Sequence, residues 1–222
     1  MPAGREPVKQ AAGCGRDERG VYEYSGTMEE SGTAPANYLR TMVVSHGPEF
    51  AELIAETDSA EETQALARRL GAELGPGDFI SLIGPLGAGK TAFVQGLAQG
   101  LGSEGMVTSP TFVLMRLHGG DVPLAHADAY RLDGALDLAD LGLSDWMDET
   151  VVALEWADTV PEAIPQERIE VRIEYVEEGR RLRMRGLGRR PAEIVRKIRR
   201  GYEEKAGGPS GDQAAHEQEP GR

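Results

Sequence analysis

Apolar and polar positions along the middle of the chain predict strands and helices in alternation. Phe50 to Glu56 is typical of a short strand, and Asp78 to Ile83 is an apolar run bounded by glycine and proline, as in buried parallel strands. Between them, Ser59 and Glu62 form an S-x-x-E capping box, which predicts the start of a helix. One face of that helix carries Leu66, Leu70 and Leu74.

The second half of the chain continues this alternation. A helix is predicted from about Lys90 to Leu101, and a final helix from Pro191 to about Tyr202. Between them, the pattern predicts three extended segments and then a hairpin around Glu178-Gly179. The extended segments are Phe112 to Leu117, Pro123 to Ala127 and Val151 to Leu154, and the hairpin strands are Ile169 to Val176 and Arg181 to Leu187.

Composition separates the ends of the chain from this patterned region. Residues 1–48 and 205–222 are rich in Gly, Pro and polar residues and lack periodicity, so we expect a disordered N-terminal extension and a disordered C-terminal tail around a domain spanning 49–204. The net charge of −13 argues against a chain that coats nucleic acid. One cysteine, no apolar membrane-spanning stretch and no signal-peptide pattern favour a cytoplasmic protein.

The strongest chemical signal is the run from Gly84 to Thr91. It matches the P-loop pattern G-x-x-x-x-G-K-S/T directly after a predicted strand and before a predicted helix. In this arrangement backbone N–H groups turn toward phosphates, Lys90 reaches the β/γ-phosphates and Thr91 binds Mg²⁺. The alternative is a glycine-rich turn with a surface lysine. The predicted nucleotide-binding residues here are Gly84, Leu86, Gly87, Ala88, Gly89, Lys90, Thr91 and Ala92.

A P-loop needs an acid on a neighbouring strand, and two acids follow apolar runs. Glu155 ends the more apolar run and is the predicted second Mg²⁺ ligand; Asp128 is predicted to position water or to support the site. Each is alternatively an ordinary carboxylate at a strand end. Ser109 and Thr111 lie where nucleotide switches place γ-phosphate-sensing hydroxyls, or in a plain turn. His118 and His126 are expected to be hydrogen-bonded histidines rather than a pair of metal ligands.

Sequence also narrows the type of P-loop protein. A Ras-like GTPase needs an N-K-x-D segment, but the only asparagine is Asn37 in the N-terminal extension, so adenine is the expected base. A small-molecule kinase would use an arginine-bearing lid, for which alternating arginines from Arg180 to Arg185 could serve; a solvated strand face explains them equally well. The basic segment 179–200 either contacts an acidic partner or a nucleic-acid backbone, or neutralises the acidic segment 121–162 within the fold.

Four ordered motifs together resemble the TsaE (YjeE) family, the bacterial ATPases of tRNA N6-threonylcarbamoyladenosine biosynthesis. They are the P-loop, S-P-T-F at Ser109 to Phe112, H-x-D-x-Y-R at His126 to Arg131 and L-E-W at Leu154 to Trp156. The resemblance covers roughly Glu52 to Arg185. Unlike the family, which usually has an acid after the first P-loop glycine, this chain has Pro85.

The resemblance implies an α/β fold: a single P-loop NTPase-type domain with a mostly parallel central sheet, helices on both faces and a C-terminal antiparallel hairpin. It implies ATP and Mg²⁺ as cofactors, TsaD and TsaB as partners and tRNA as an indirect one. Thr91 and Glu155 match metal positions, Asp128 and Trp156 match active-site motifs, and Thr57, Gly179 and Arg180 align near the adenine-contacting ends.

The expected function is slow, partner-stimulated ATP hydrolysis that supports threonylcarbamoylation of adenosine 37 in tRNAs reading ANN codons. Lys90, Asp128 and Glu155 are the expected catalytic residues. Slow turnover is expected because no convincing arginine finger in cis is evident. Two alternatives remain at this stage: a small-molecule P-loop kinase, and a nucleotide-dependent switch that does not hydrolyse ATP.

Overall fold

The computed structural model describes residues 15–16, 22–23, 41–45, 47–105, 107–110, 114–132 and 142–206. The chain divides into two compact units, Met1–Asn37 and Tyr38–Arg222. In the first, Gly15–Arg16 pairs in antiparallel fashion with Tyr22–Glu23. The second unit carries the P-loop and is described below.

The second unit contains eight strands and four α-helices among its described residues. The strands are β1 (Thr41–Ser45), β2 (Phe50–Thr57), β3 (Phe79–Ile83), β4 (Met115–His118), β5 (Leu124–Asp128), β6 (Val151–Glu155), β7 (Arg168–Val176) and β8 (Gly179–Leu187). The helices are α1 (Ala60–Gly71), α2 (Lys90–Gly100), α3 (Leu143–Trp146) and α4 (Arg189–Ala206).

All eight strands form one sheet in the order β1-β2-β8-β7-β3-β6-β5-β4. The pairings of β7 with β3, β3 with β6 and β6 with β5 are parallel, and the other pairings are antiparallel. Strands β2, β3, β5, β6 and β7 therefore run in one direction, against β1, β4 and β8. This confirms the expected mostly parallel sheet, and β7–β8 is the expected C-terminal hairpin.

Each face of the sheet buries its own apolar cluster, because successive strand residues point to opposite faces. Ile80 and Leu82 of β3 lie in a cluster with residues of the long helices α1, α2 and α4. Phe79 and Ile83, on the other face, join a cluster closed by α3 and the short 3₁₀ turns Ala157–Thr159 and Pro161–Ala163. The expected helices on both faces are confirmed, with unequal lengths.

The start of α1 follows the sequence signal closely. Ser59 Oγ accepts a hydrogen bond from the N–H of Glu62 at 3.1 Å, and Glu62 Oε2 accepts one from the N–H of Asp58 at 2.9 Å. These bonds satisfy backbone donors that the first helical turn leaves unpaired. Leu66, Leu70 and Leu74 are all buried, as the periodicity predicts.

The first and last described elements of the second unit differ from the predicted boundaries. Strand β1 lies within residues 1–48, where we predicted disorder, and it pairs with β2. The prediction missed it because a five-residue edge strand is defined by its partner more than by its own sequence. At the other end α4 extends to Ala206, two residues into the predicted tail 205–222, and residues 207–222 lie outside the described residues.

Many basic residues of segment 179–200 form ion pairs within the fold. Arg181 contacts Glu56 at 2.6 Å and Arg185 contacts Glu52 at 2.7 Å, both across the β2–β8 pair. On α4, Arg190 binds both carboxylate oxygens of Asp78 at 2.7 Å. The acidic partners of these three arginines lie in residues 52–78, so ion pairs within the fold neutralise their charges. These partners do not belong to the acidic segment 121–162.

Candidate functional site

The carboxyl ends of the central parallel strands bring the predicted site residues together. Asp128 of β5 is in register with Glu155 of β6, which in turn pairs with Leu82 near the end of β3. The segment that leaves β3 is the P-loop, Gly84 to Thr91. Parallel α/β sheets bind ligands outside the carboxyl ends of their strands, so this edge is where a functional site is expected.

The P-loop backbone depends on glycine at three points. Gly84, Gly87 and Gly89 have φ values of 155°, 75° and 108°, which L side chains rarely adopt. A Cβ on Gly84 would lie 2.4 Å from the carbonyl oxygen of Ile173 on β7. Gly89 caps α2, whose first residue is Lys90, so the positive end of this helix points at the loop.

Lys90 is held inside the loop. Its Nζ donates to the carbonyl oxygens of Gly84 at 2.7 Å and Pro85 at 3.0 Å, and its side chain is only 4% exposed. Burial lowers the pKa of Lys90 from its ordinary 10.5, because desolvation disfavours the ammonium form. The negative charges of Glu155, Asp128 and Asp158 oppose this shift.

Thr91 and Glu155, the predicted metal ligands, are in direct contact. Thr91 Oγ1 donates to Glu155 Oε1 at 2.9 Å. The same carboxylate oxygen lies 2.9 Å from Nε2 of His126, which is fully buried. Glu155 is itself 3% exposed. The carboxylate is therefore fixed between the first turn of α2 and the neighbouring strand β5.

Asp128 lies beside Glu155 and is held by different partners. Its Oδ2 accepts a hydrogen bond from Ser109 Oγ at 3.2 Å, and its Oδ1 accepts one from the N–H of Tyr130 at 2.9 Å. The structure thus brings Ser109, which the sequence placed in a switch or a turn, to one of the two predicted acids. Thr111 lies outside the described residues.

Trp156 covers the Lys90 ammonium. The lysine Nζ is 3.7 Å from the centroid of the indole ring, a cation–π distance. Trp156 has a φ of 59°, which turns the chain sharply after β6, and Tyr130 packs against its ring with centroids 4.9 Å apart. This strained backbone places an aromatic wall at the side of the loop.

The β7–β8 hairpin touches the loop from the opposite side. Tyr175 donates its hydroxyl hydrogen to the carbonyl oxygen of Leu86 at 2.7 Å, and Arg180 Nε donates to that of Ala88 at 3.1 Å. The Arg180 guanidinium also lies 4.3 Å from the Tyr175 ring centroid. Leu86 is 77% exposed at the tip of the loop.

The predicted adenine-side residues lie together at the start of this hairpin. Thr57 is in register with Arg180, and a Cβ on Gly179 would lie 2.2 Å from the carbonyl oxygen of Thr57. The buried Thr57 hydroxyl forms a 2.8 Å hydrogen bond with the Thr63 hydroxyl, so the Thr57 side chain points toward α1. Ala92 follows Thr91 in the first turn of α2.

These residues fit a nucleotide phosphate and a magnesium ion. The positive-φ glycines and the α2 N-terminus form a cradle for an anion, and Thr91 and Glu155 offer the hard oxygen donors that Mg²⁺ prefers. No cluster of three or more His, Cys, Asp or Glu suited to a metal is present among the described residues. One carboxylate with one hydroxyl suits Mg²⁺, which keeps several waters and binds phosphate oxygens.

Comparison with known proteins identifies the family. Residues 57–183 match the family model described as "Threonylcarbamoyl adenosine biosynthesis protein TsaE". The chain belongs to the TsaE family. The TsaE protein of Streptomyces coelicolor is 43% identical over 134 residues, which cover 56% of this chain and 90% of that protein. The TsaE protein of Bacillus subtilis is 42% identical over 117 residues, which cover 52% of this chain and 73% of that protein. Both are described as tRNA threonylcarbamoyladenosine biosynthesis proteins.

A solved structure supports the same assignment. The crystal structure of YdiB from Bacillus subtilis matches with a TM-score of 0.61 and 33% sequence identity, over 71% of this chain and 99% of that chain. The resemblance to TsaE drawn from four motifs is therefore confirmed. All four motifs lie inside the matched range, which also includes Thr57, Gly179 and Arg180.

The fold adds three residues to this TsaE site, and sequence reasoning missed the role of two of them. The expectation that His126 is a hydrogen-bonded histidine is confirmed, and its partner is Glu155. Tyr130 and Tyr175 carried no motif-based prediction of a role, yet they contact Trp156 and Leu86. For His126 and Tyr130 a signal existed, because both belong to the H-x-D-x-Y-R motif; for Tyr175 none did.

Proposed function

We propose that this TsaE protein binds ATP with Mg²⁺ at the P-loop and hydrolyses it slowly, in support of tRNA threonylcarbamoyladenosine biosynthesis. The observation that carries the proposal is the convergence of Lys90, Thr91 and Glu155 at one edge of the sheet. Thr91 and Glu155 are 64 positions apart in sequence but share a 2.9 Å hydrogen bond directly after the lysine of the loop. An incidental glycine-rich turn would not place a strand-end acid there.

In the proposed reaction each part of the site has a separate task. Bound Mg²⁺ would supply charge neutralisation on the phosphate oxygens. The amides from Gly87 to Thr91 and the Lys90 ammonium bind and orient the phosphates, and Thr91 with Glu155 holds the metal. Asp128, fixed by Ser109 and the Tyr130 amide, orients the attacking water and accepts its proton.

Burial of the site favours this chemistry. Lys90, Asp128 and Glu155 are 4%, 3% and 3% exposed. Electrostatic interactions among such groups are stronger than in water because few solvent dipoles screen them. Trp156 and Tyr130 form an apolar wall beside Lys90, which limits access of competing water to that side of the loop.

The proposed partners are TsaD and TsaB, with tRNA reached through them. In this scheme the chain provides ATP-driven turnover of the complex, and the threonylcarbamoyl group is transferred by TsaD to adenosine 37 of tRNAs reading ANN codons. Slow hydrolysis by the isolated chain fits this arrangement, since a P-loop without a complete set of γ-phosphate-stabilising groups gains rate from a partner. The proposed location is the cytoplasm; no described helix could span a membrane.

The decisive experiment compares ATP hydrolysis by wild type, Lys90→Ala and Glu155→Ala, each with and without TsaB and TsaD. Arg68→Ala and Glu61→Ala are matched controls, because both residues are exposed on α1 and have no part in the proposed site. The expected result is wild-type activity that rises with the partners, is lost in the two site variants and is retained in the controls.

Other outcomes separate the alternatives. Phosphate transfer to a small acceptor by the chain alone would identify a kinase. Tight ATP binding without hydrolysis, even with both partners, would identify a non-hydrolysing switch. Equal hydrolysis by wild type and both site variants would show that the activity does not come from this site.

A further inference from the structure

The deepest polar contact of the site involves a histidine that the proposed chemistry does not use. His126 is 0% exposed and lies on β5, two residues before Asp128. Strands β5 and β6 are parallel with His126 in register with Ala153, so its side chain is on the same face as Glu155, two residues further along β6. Its Nε2 is 2.9 Å from Glu155 Oε1.

We propose that His126 is a positioning residue for Glu155: its Nε2–H donates to Oε1 and holds the carboxylate toward Thr91. This inference rests on the proposed Mg²⁺ and nucleotide site. An ionised carboxylate only accepts hydrogen bonds, so the contact requires the proton on Nε2. Within the described part of the chain Nδ1 has no hydrogen-bond partner, so Nε2 is the nitrogen that this environment assigns as donor.

The need for such a residue follows from the geometry. A glutamate side chain has several rotatable bonds, and a ligand that samples several rotamers loses entropy when it binds a metal. Thr91, the other group that fixes Glu155 Oε1, is itself a proposed metal ligand. His126 holds the carboxylate from outside that pair, in the manner of groups that orient metal ligands in other proteins.

A neighbouring histidine provides a matched control. His118 on β4 has its ring centroid 6.0 Å from that of His126, and it is 8% exposed. Burial is the largest cause of a lowered pKa of His118, below its ordinary 6.5, and the positive charge of Arg116 also lowers it. His118 is therefore a second buried histidine in the same region, with its Nε2 unpaired among the described residues and no bond to the site.

The first test measures ADP affinity by calorimetry, with magnesium chloride and with EDTA, for wild type, His126→Leu, His126→Gln and His118→Leu. In His126→Leu we expect the Mg²⁺-dependent gain in affinity to fall by about 10-fold or more, with unchanged affinity in EDTA. His126→Gln, whose amide nitrogen can reach the position of Nε2, should restore much of the gain. His118→Leu should match wild type in both conditions.

Two results of this titration would overturn the inference: an unchanged Mg²⁺-dependent gain in His126→Leu, or an equal loss of affinity with and without metal, which would indicate general damage to the fold.

A double-mutant cycle adds a further check. If His126 acts through the Glu155 carboxylate, His126→Leu should cause no further loss in a Glu155→Gln background. A further loss as large as in wild type would contradict the proposal.

The second test needs neither metal nor nucleotide. Ring-nitrogen NMR of the wild-type protein should show the Nε2–H form of His126, with a signal that shifts in Glu155→Gln and not in Glu61→Gln. Detection of the Nδ1–H form would overturn the inference even if the protein binds Mg²⁺ and ATP. Conversely, wild type that shows no Mg²⁺-dependent gain would refute the proposed function, while the NMR result would still decide the role of His126.

Discussion

The hydroxyl of Thr91 donates to the carboxylate of Glu155 at 2.9 Å, joining the first turn of α2 to the end of β6. The contact exists because β6 lies directly beside β3, the strand that leads into the P-loop. Parallel neighbours end at the same edge of the sheet, so the acid at the end of β6 meets the hydroxyl at the end of the loop. Residues on distant parts of the chain thus form the proposed pair of metal ligands.

Replacing Thr91 tests that pair directly. Thr91→Val keeps the shape of the side chain and removes the hydroxyl, so we expect ATP hydrolysis to fall by at least about 10-fold, as when a metal ligand or its orienting group is lost. Thr91→Ser retains the hydroxyl and should keep most of the activity. Steady-state phosphate release with excess Mg²⁺ measures the activity of both variants. Equal activity of the serine and valine variants would contradict a role for Oγ1.

The lowered pKa of Lys90 predicts a dependence of stability on pH. Between its pKa in the folded protein and 10.5, the unfolded chain binds more protons at this lysine than the folded chain does. Stability therefore rises with pH through that window and is independent of this group below it. Chemical denaturation of wild type and Lys90→Met at a series of alkaline pH values measures this effect. As pH rises, the unfolding free energy of wild type should increase relative to that of the variant.

The acids around Lys90 set the width of that window. Glu155 is the largest charge opposing the shift, so Glu155→Gln should lower the Lys90 pKa further and open the window at lower pH. A stability difference between wild type and Lys90→Met that decreases as pH rises would mean that the pKa is raised instead.

Gly84 is expected to tolerate no side chain. In Gly84→Ala the new Cβ would lie 2.4 Å from the carbonyl oxygen of Ile173, a backbone atom of a central strand. Moving either segment should cost about 2 kcal/mol of unfolding free energy, the usual range for overpacking. Urea denaturation measures the loss. Gly119→Ala is the control, since nothing lies within 4 Å of its added Cβ; a Gly84→Ala variant as stable as this control would refute the close approach.

Tyr175 should affect nucleotide affinity without touching the metal pair. Its hydroxyl fixes the carbonyl of Leu86 in the loop, so Tyr175→Phe should release that peptide and weaken ADP binding by about 2- to 5-fold, the equivalent of one hydrogen bond of about 0.5–1 kcal/mol. Calorimetric titration with ADP measures the change. Tyr202→Phe, on α4 and away from the loop, should leave affinity unchanged.

An unchanged affinity in Tyr175→Phe would mean that the loop keeps its shape without this hydrogen bond. Tyr175→Ala extends the test, because it also removes the ring beneath the Arg180 guanidinium, 4.3 Å away. That variant should bind ADP more weakly than Tyr175→Phe, since Arg180 then loses a stacking partner while it donates to Ala88.

Local signals in the sequence determined the elements of this protein. The capping box at Ser59, the glycines before Lys90 and the turn at Glu178-Gly179 act over a few residues, so their structural consequences can be read from short segments. The P-loop pattern could be recognised for this reason, because its residues are consecutive in the sequence. The family followed from the order of four such motifs.

Only the tertiary structure decided which side chains meet. The order of strands β7-β3-β6-β5 depends on how the whole sheet packs against its helices, and no short segment records it. That order brings His126 into hydrogen-bond contact with Glu155, and Ser109 into contact with Asp128. The β7–β8 hairpin, in turn, brings Tyr175 and Arg180 into contact with the P-loop. A sequence specifies local conformation through neighbouring residues, whereas contacts between strands arise from the burial of the entire core.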